Sequence, residues 1–118
     1  MGGHRMRVAG IGCRPGTPVA ALIQAARGAD MLATIPERAD LLRPVADRLG
    51  LPLRIVRVAG IPTPTQSPRI QALHATGSVA EAAALAAAGP AGRLTGPRIV
   101  SACGRITIAI AIAIAEVP

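Results

Sequence analysis

Glycine, cysteine and arginine stand together in one short segment near the start of the chain. Residues 10–17 read GIGCRPGT after a short apolar run, which predicts a buried strand followed by a tight turn. Thr17 and Pro18 are typical of the N-cap and first residue of a helix. Such a turn can bring backbone N–H groups and a helix N-terminus to one anion, with Arg14 beside them. The glycines would also be needed for the turn alone, and both interpretations stay open.

The glycine spacing is similar to a dinucleotide-binding fingerprint. The pattern G-x-G-x-x-x-G formed by Gly10, Gly12 and Gly16 has one residue more than that fingerprint. The second predicted strand ends at Thr34-Ile35-Pro36, where a dinucleotide site needs an acidic residue for the ribose. The spacing therefore argues against a nicotinamide or flavin, and we predict no cofactor.

Two side chains are candidates for catalysis. Cys13 could act as a nucleophile, because a thiol near a helix N-terminus has a lowered pKa. The histidines His4 and His74 are both distant in sequence, so a small buried thiol is the favoured interpretation. Glu81 could assist water, but it is better explained as the partner of Ser78 in a capping box. The cysteines and histidines lack the spacing of metal ligands, so we predict no metal site.

The charge of the chain indicates an anionic partner. The net charge is +7 over 118 residues, and all 13 basic residues are arginine. Without lysine, neither a Walker-type phosphate site nor a Schiff base can form. Without aromatic residues, there is no stacking platform for single-stranded nucleic acid. Arginine binds carboxylates as readily as phosphates, so a polycarboxylate or polyphosphate small molecule fits the charge as well as DNA does.

The arginines are spread along the chain, and no nucleic-acid-binding signature accompanies them, which disfavours DNA or RNA as the partner. The basic excess can also reflect the nucleotide composition of the genome. The apolar segment 106–115 is shorter than the roughly 20 residues of a membrane-spanning helix. The N-terminus lacks the apolar core of a signal peptide. We therefore expect a reduced, cytoplasmic protein with no membrane partner.

Strands and helices alternate along the chain. We predict strands over residues 6–11, 31–35, 53–58, 93–100 and 105–115, and helices over 19–27, 41–49, 67–76 and 78–89. Two strand–helix units that end in a third strand are typical of a parallel α/β sheet. In the last strand, five isoleucines from Ile106 to Ile114 share one face, and Thr107 with four alanines shares the other. Its repetitive pattern specifies the register weakly, and a homodimer through it stays open.

Four segments of the chain carry a family resemblance. They are GIGCRPGT at 10–17, LGLPL at 49–53, SVAEAAAL at 78–85 and ITIAIA at 106–111. In this order they resemble the motifs G-x-G-C-R-x-G-T, L-G-L-P-L, S-V-A-E-A-A-A-L and V-T-V-A-I-A of the CobE/CbiG C-terminal family of cobalamin biosynthesis. The matches span about residues 6–113, so we predict one domain over residues 1–118, similar to a stand-alone CobE.

The resemblance implies a three-layer α/β/α fold with a mixed sheet of about five strands, and a role in building the corrin ring. It leaves two functions open. One is a carrier or accessory protein that binds a precorrin-type tetrapyrrole and works beside other cobalamin-pathway enzymes. The other is a hydrolase, or part of one, that opens a cobalt-precorrin δ-lactone and releases acetaldehyde. Binding is favoured, because Arg98 stands where the family has a lysine and keeps its charge but not its proton chemistry.

The resemblance also implies a site in a cleft around the glycine loop. Precorrins combine an apolar face with a rim of carboxylates, and arginine suits that rim. Carried over residue by residue, the resemblance points to the loop residues Gly12, Cys13, Arg14, Gly16 and Thr17 and to the cap serine Ser78, with Glu81 nearby. Because arginine suits the carboxylate rim, we add Arg38 and Arg98 to the substrate-binding set as rim contacts.

Overall fold

In the computed structural model, which describes residues 4–115, six strands form one mixed sheet. They are β1 (His4–Cys13), β2 (Met31–Thr34), β3 (Leu53–Ile55), β4 (Arg93–Leu94), β5 (Ile99–Val100) and β6 (Ile106–Ala115). Their order across the sheet is β3-β2-β1-β6-β4, and β5 also pairs with β6. Strands β1, β2 and β3 are parallel, whereas β6 runs antiparallel to β1, β4 and β5. The α/β class and the mixed sheet are confirmed.

Helices cover both faces of this sheet. They are α1 (Val19–Ala26), α2 (Ala39–Leu49), α3 (Pro68–His74) and α4 (Val79–Ala88). On one face, Leu22 of α1 and Leu42 of α2 pack in one core with Ile11 of β1. On the other face, Val79 of α4 packs with Val8 of β1. The result is the expected three-layer arrangement.

The alternation in β6 sorts its side chains between these two layers. Ile106, Ile108 and Ile110 belong to the core under α1 and α2. Ala109 and Ala111 pack in a separate cluster against the alanines of α4. The small alanine face lets α4 approach the sheet closely, as the two-faced pattern predicted. The Ile114 side chain, also part of that prediction, lies outside the described part of the chain.

Gly10 marks the closest approach of α4 to the sheet. A Cβ atom there would collide with the carbonyl oxygen of Ala80 and lie 2.5 Å from the amide nitrogen of Ala84. Strand β1 continues through Gly12 to Cys13, two residues beyond its predicted end. Gly10 and Gly12 are therefore packing glycines within a strand, and the turn itself uses Gly16, whose φ is +78°.

The predicted strand 93–100 is two strands, which brings the sheet from about five strands to six. Thr95, Gly96 and Pro97 separate β4 from β5. Pro97 has no N–H for a ladder, and the N–H of Arg98 donates to the carboxylate of Glu81 instead. The third strand is also shorter than predicted and ends at Ile55.

The helix caps agree only in part with the sequence. Ser67 and Ser78 cap α3 and α4, accepting hydrogen bonds from main-chain N–H groups. The prediction that Thr17 caps α1 is wrong. Its hydroxyl donates to the carbonyl of Arg14 at 2.6 Å, so it closes the turn and leaves Pro18 as the N-cap.

Candidate functional site

A cleft of about 240 Å³ lies where β1 and β2 end. Gly12 and Cys13 line it from the end of β1, Ile35 from the end of β2 and Val79 from the first turn of α4. Helix α3 lines another side, and β5 with the turn into β6 lines a third. The cleft therefore lies outside the carboxyl ends of parallel strands, where α/β sheets commonly bind ligands.

Five arginines from separate segments line this cleft. They are Arg14 after β1, Arg38 before α2, Arg69 in α3, Arg98 before β5 and Arg105 before β6. Among the described residues that line it, none is aspartate or glutamate. A concave site with several fixed cations and no lining acid concentrates positive potential and attracts an anion. Guanidinium groups also offer paired N–H donors that match a carboxylate.

Arg38 is braced by main-chain oxygens. Its Nε donates to the carbonyl of Cys13 at 2.7 Å, and its Nη1 donates to the carbonyl of Glu37 at 3.2 Å. A guanidinium has five N–H donors in a planar fork, so the remaining donors can face a ligand. The brace also holds the turn before α2 against the end of β1.

The Cys13 thiol is not activated. Burial raises the pKa of Cys13, and the nearby Arg38 charge opposes this effect only in part. The nucleophile interpretation depends on a lowered pKa, which is not found, because burial outweighs the Arg38 charge and α1 begins only at Val19. A raised pKa lowers the fraction of thiolate, the reactive form, so it weakens Cys13 as a nucleophile.

Glu81 lies behind the cleft and is completely buried. One carboxylate oxygen, Oε1, accepts from the main-chain N–H of Thr65 at 2.9 Å. The other, Oε2, accepts from the Thr65 hydroxyl and from the main-chain N–H of Arg98, each at 2.9 Å. The predicted capping box is thus half correct: Ser78 accepts from the N–H of Glu81, but the Glu81 side chain binds two loops.

A comparison with models of known protein families identifies the family of this chain. The family model described as "Cobalamin synthesis G C-terminus" matches residues 7–111. The chain belongs to the CbiG C-terminal family. It is therefore a cobalamin biosynthesis family protein.

Two solved structures resemble this member of the family. One is the crystal structure of cobalamin biosynthesis protein chiG from Agrobacterium tumefaciens str. C58, whose sequence is 40% identical to this chain. The TM-score is 0.70, over 91% of this chain and 98% of that one. The crystal structure of CobE, a protein from the cobalamin (vitamin B12) biosynthetic pathway, is 27% identical. Its TM-score is 0.77, over 98% of this chain and 96% of that one. No curated protein matches the chain.

The structure brings five of the eight residues predicted to bind substrate into this family member's cleft: Gly12, Cys13, Arg14, Arg38 and Arg98. The other three do not line it. Gly16 is exposed in the turn, whereas Thr17 and Ser78 are buried. Their roles as ligand contacts stay predictions.

Main-chain N–H groups in the turn after β1 are partly occupied within the protein. The N–H of Arg14 donates to the carbonyl of Arg105 at 3.0 Å, and that of Thr17 donates to the carbonyl of Arg14 at 3.3 Å. Pro15 has no N–H. The turn therefore leaves fewer main-chain N–H groups free for a ligand than its sequence suggested.

Sequence reasoning missed the contribution of α3 and of the turn into β6. Arg69 and His74 line the cleft from α3, Arg105 lines it from the turn, and Leu73 and Val100 add apolar surface. Leu73 is 62% exposed and Val100 is 51% exposed, which is unusual for large apolar side chains. The spacing of Arg69 and Leu73 places them on one face of a helix, but no local signal shows that this face meets the turn after β1.

A second, mostly apolar cavity of about 470 Å³ adjoins the first. The two share Ile35, Leu73 and His74 in their linings. The Nδ1 atom of His74 lies 3.9 Å from a carboxylate oxygen of Glu37, a contact that is ionic only when His74 is protonated. Apolar surface therefore continues from the arginine-lined cleft along α3.

Neither a metal nor a membrane span is indicated by the part of the chain that the structure describes. No group of three histidine, cysteine, aspartate or glutamate side chains in that part could hold a metal ion. Within the same part, no helix is long and apolar enough to cross a membrane.

Proposed function

We propose that this protein binds a polycarboxylate, precorrin-type tetrapyrrole and acts as a carrier or accessory protein in cobalamin biosynthesis. The observation that supports this proposal is the convergence of five arginines on one cleft without a lining acid. Family membership supports an intermediate of corrin synthesis as this anion, because the rim of such an intermediate carries acetate and propionate carboxylates. Guanidinium forks bind such groups in pairs.

The size of the cleft indicates how such a ligand would bind. Its volume of about 240 Å³ is below the roughly 300–1,000 Å³ of pockets that enclose a drug-sized ligand. The cleft can therefore accept one carboxylate-bearing edge of a macrocycle, and the rest of the ring would lie outside it. Leu73 and Val100 offer exposed apolar surface beside the arginines for the ring face.

Catalysis by the two candidate residues has less support than binding. The thiol of Cys13 has a raised pKa, and the Glu81 carboxylate is buried and already accepts three hydrogen bonds. The thiol is therefore a poor nucleophile, and the carboxylate is poorly placed to activate a water molecule. A carrier must pass its ligand onward, so we expect other cobalamin-pathway enzymes as partners in the cytoplasm.

The decisive experiment is a titration with hydrogenobyrinic acid, a metal-free polycarboxylate corrinoid, followed by visible absorption. The protein lacks aromatic residues and absorbs little in the near ultraviolet, so ligand bands stay clear. We expect binding, with the ligand mass unchanged after hours. Arg14→Ala should weaken binding about tenfold, since a hydrogen bond to a charged group contributes about 1.5–3 kcal/mol.

The matched control is Arg48→Ala, which removes an exposed arginine from the last turn of α2. Its affinity should remain within about twofold of the original, because surface charges beyond a Debye length are screened. Absence of binding to the unmodified protein would overturn the proposal. Acetaldehyde release from a cobalt-precorrin δ-lactone would favour the hydrolase instead.

A further inference from the structure

We infer that Glu81 is a positioning residue that holds two sides of the arginine-lined cleft in place. This inference rests on the proposed function for its effect on ligand affinity. Its structural part, the fixing of two loops by one buried carboxylate, is independent of any ligand. Two observations support it: the carboxylate accepts three hydrogen bonds, and the two loops that donate them lead directly into residues that line the cleft.

The two loops come from distant parts of the sequence. Thr65 belongs to the proline-rich loop before α3, and Arg98 lies directly before β5. One side chain on the first turn of α4 therefore joins segments that are 33 positions apart (98 − 65). Both segments continue at once into cleft-lining residues, since Ser67 and Arg69 follow Thr65 and Arg98 itself lines the cleft.

Hydrogen bonds within the loop that contains Thr65 connect Thr65 to the start of α3. The Thr63 hydroxyl donates to the carbonyl of Thr65 at 2.8 Å, and the Gln66 amide donates to the carbonyl of Thr63 at 2.7 Å. The N–H of Ser67 donates to the carbonyl of Gly77 at 2.9 Å. A Cβ atom on Gly77 would collide with the Thr65 carbonyl oxygen, so the loop is closely packed at this point. Displacement of Thr65 would thus shift the start of α3.

The chemistry of Glu81 favours a positioning role over a stabilising one. Burial of a carboxylate is costly unless its oxygens accept good hydrogen bonds. The donors here are two main-chain N–H groups and one hydroxyl, which fix backbone positions rather than neutralise the charge. Two oxygens that share three donors can hold both loops, whereas an amide has only one acceptor oxygen.

Glu81→Gln is therefore the informative variant. It keeps the volume of the side chain but replaces the carboxylate by a neutral amide with one acceptor oxygen. The N–H of either Thr65 or Arg98 therefore loses its acceptor, and the other keeps only a weaker hydrogen bond to an uncharged oxygen. We expect amide hydrogen exchange at Thr65 and Arg98 to accelerate about tenfold or more through local opening, without any ligand present. Val45→Ala, on the buried face of α2, is the control for a general loss of stability. The exchange rates of the two variants are compared under conditions in which their free energies of unfolding are equal.

A double-mutant cycle tests the effect on binding of hydrogenobyrinic acid. Arg98→Ala should weaken binding about tenfold in the original protein, but by less than about threefold in the Glu81→Gln background, because the hydrogen bond that positions Arg98 is then lost or weakened. Arg14→Ala should have the same effect in both backgrounds, since the N–H of Arg14 is bound to Arg105 and not to Glu81. A residue that only stabilised the fold would leave both effects additive.

The outcomes separate the two claims. Unchanged amide exchange at Thr65 and Arg98 in Glu81→Gln would overturn the inference, whether or not the protein binds ligand. Additive effects of Glu81→Gln and Arg98→Ala would also overturn it. If the original protein does not bind hydrogenobyrinic acid, the proposed function fails, and the amide exchange alone decides whether Glu81 positions the loops.

Discussion

Cys13 lies half-buried at the end of β1, whereas Cys103 lies exposed in the turn between β5 and β6. Burial raises the pKa of Cys13. The hydrogen bond with the Ser101 hydroxyl is the largest cause that lowers the pKa of Cys103. Thiolate is the form that reacts, so at a pH near 8 we expect iodoacetamide to alkylate Cys103 about tenfold faster than Cys13. Peptide mass spectrometry over time measures both rates.

The same experiment has a pH dependence. Since the pKa of Cys13 is raised, its alkylation rate should still increase at pH values where the rate of Cys103 has reached its plateau. Cys103→Ser should leave only the slow reaction. Faster alkylation of Cys13 than of Cys103 would mean that the cleft thiol is activated, and would restore it as a candidate nucleophile.

Which arginines form the cleft could be predicted only in part from the sequence. Its place beside the glycines indicates Arg14, and the carboxylate rim of the implied ligand suggests Arg38 and Arg98 as contacts. Arg69 and Arg105 were missed, because the path that brings α3 and the turn into β6 to the end of β1 is a tertiary property. Nothing in the local sequence of either residue indicates that path.

At the scale of elements, the contact between α4 and β1 depends on Gly10. In Gly10→Ala the new methyl group would meet main-chain atoms of α4, which cannot move away as a flexible side chain could. We expect a loss of about 3 kcal/mol or more in the free energy of unfolding, at the upper end of overpacking effects. Urea denaturation measures this loss.

Gly96→Ala is the matched control for Gly10→Ala. A Cβ atom on Gly96 meets nothing within 4 Å, so we expect a change within about 0.5 kcal/mol, as for ordinary surface substitutions. Equal losses in the two variants would mean that the close approach of α4 to position 10 does not determine the stability of Gly10→Ala.

The elements themselves followed from the sequence wherever burial has a local period. The Ile–Ala alternation of β6 predicts its two faces correctly, because isoleucines pack in the layer of α1 and α2 and alanines pack against α4. The end of β1 is misplaced by two residues, because Gly12 has the local appearance of a turn. A small residue is required at Gly12 by the Thr107 hydroxyl of β6, 95 positions later, and at Gly10 by the packing of α4, some 70 positions later.

At the scale of the whole molecule, the positions of the arginines matter as well as their number. Five of the 13 arginines line one cleft at the carboxyl ends of the parallel strands. Others lie at the opposite edge of the sheet, because α1 and α2 run back from the cleft. Arg27 follows the last residue of α1, and Arg48 lies in the last turn of α2. A site-specific effect can thus be separated from the effect of net charge.

Two double variants make this separation, since each removes two positive charges. Arg14→Gln with Arg69→Gln removes cleft residues, and we expect about 30-fold weaker binding of hydrogenobyrinic acid in 0.15 M salt. Arg27→Gln with Arg48→Gln should change the affinity by less than about twofold. Helices of 8 and 11 residues span roughly 12 and 16 Å, which exceeds the Debye length of about 8 Å at this salt concentration.

The two double variants should also differ in how strongly salt affects their binding of hydrogenobyrinic acid. The cleft variant should lose much of the salt dependence of binding, because fewer cations contact the ligand, and the remote variant should keep it. Equal losses of affinity in the two variants would show that the field of the whole molecule attracts the anion. In that case a general polyanion, including DNA, would compete with the corrinoid, and duplex DNA added to the titration would displace it.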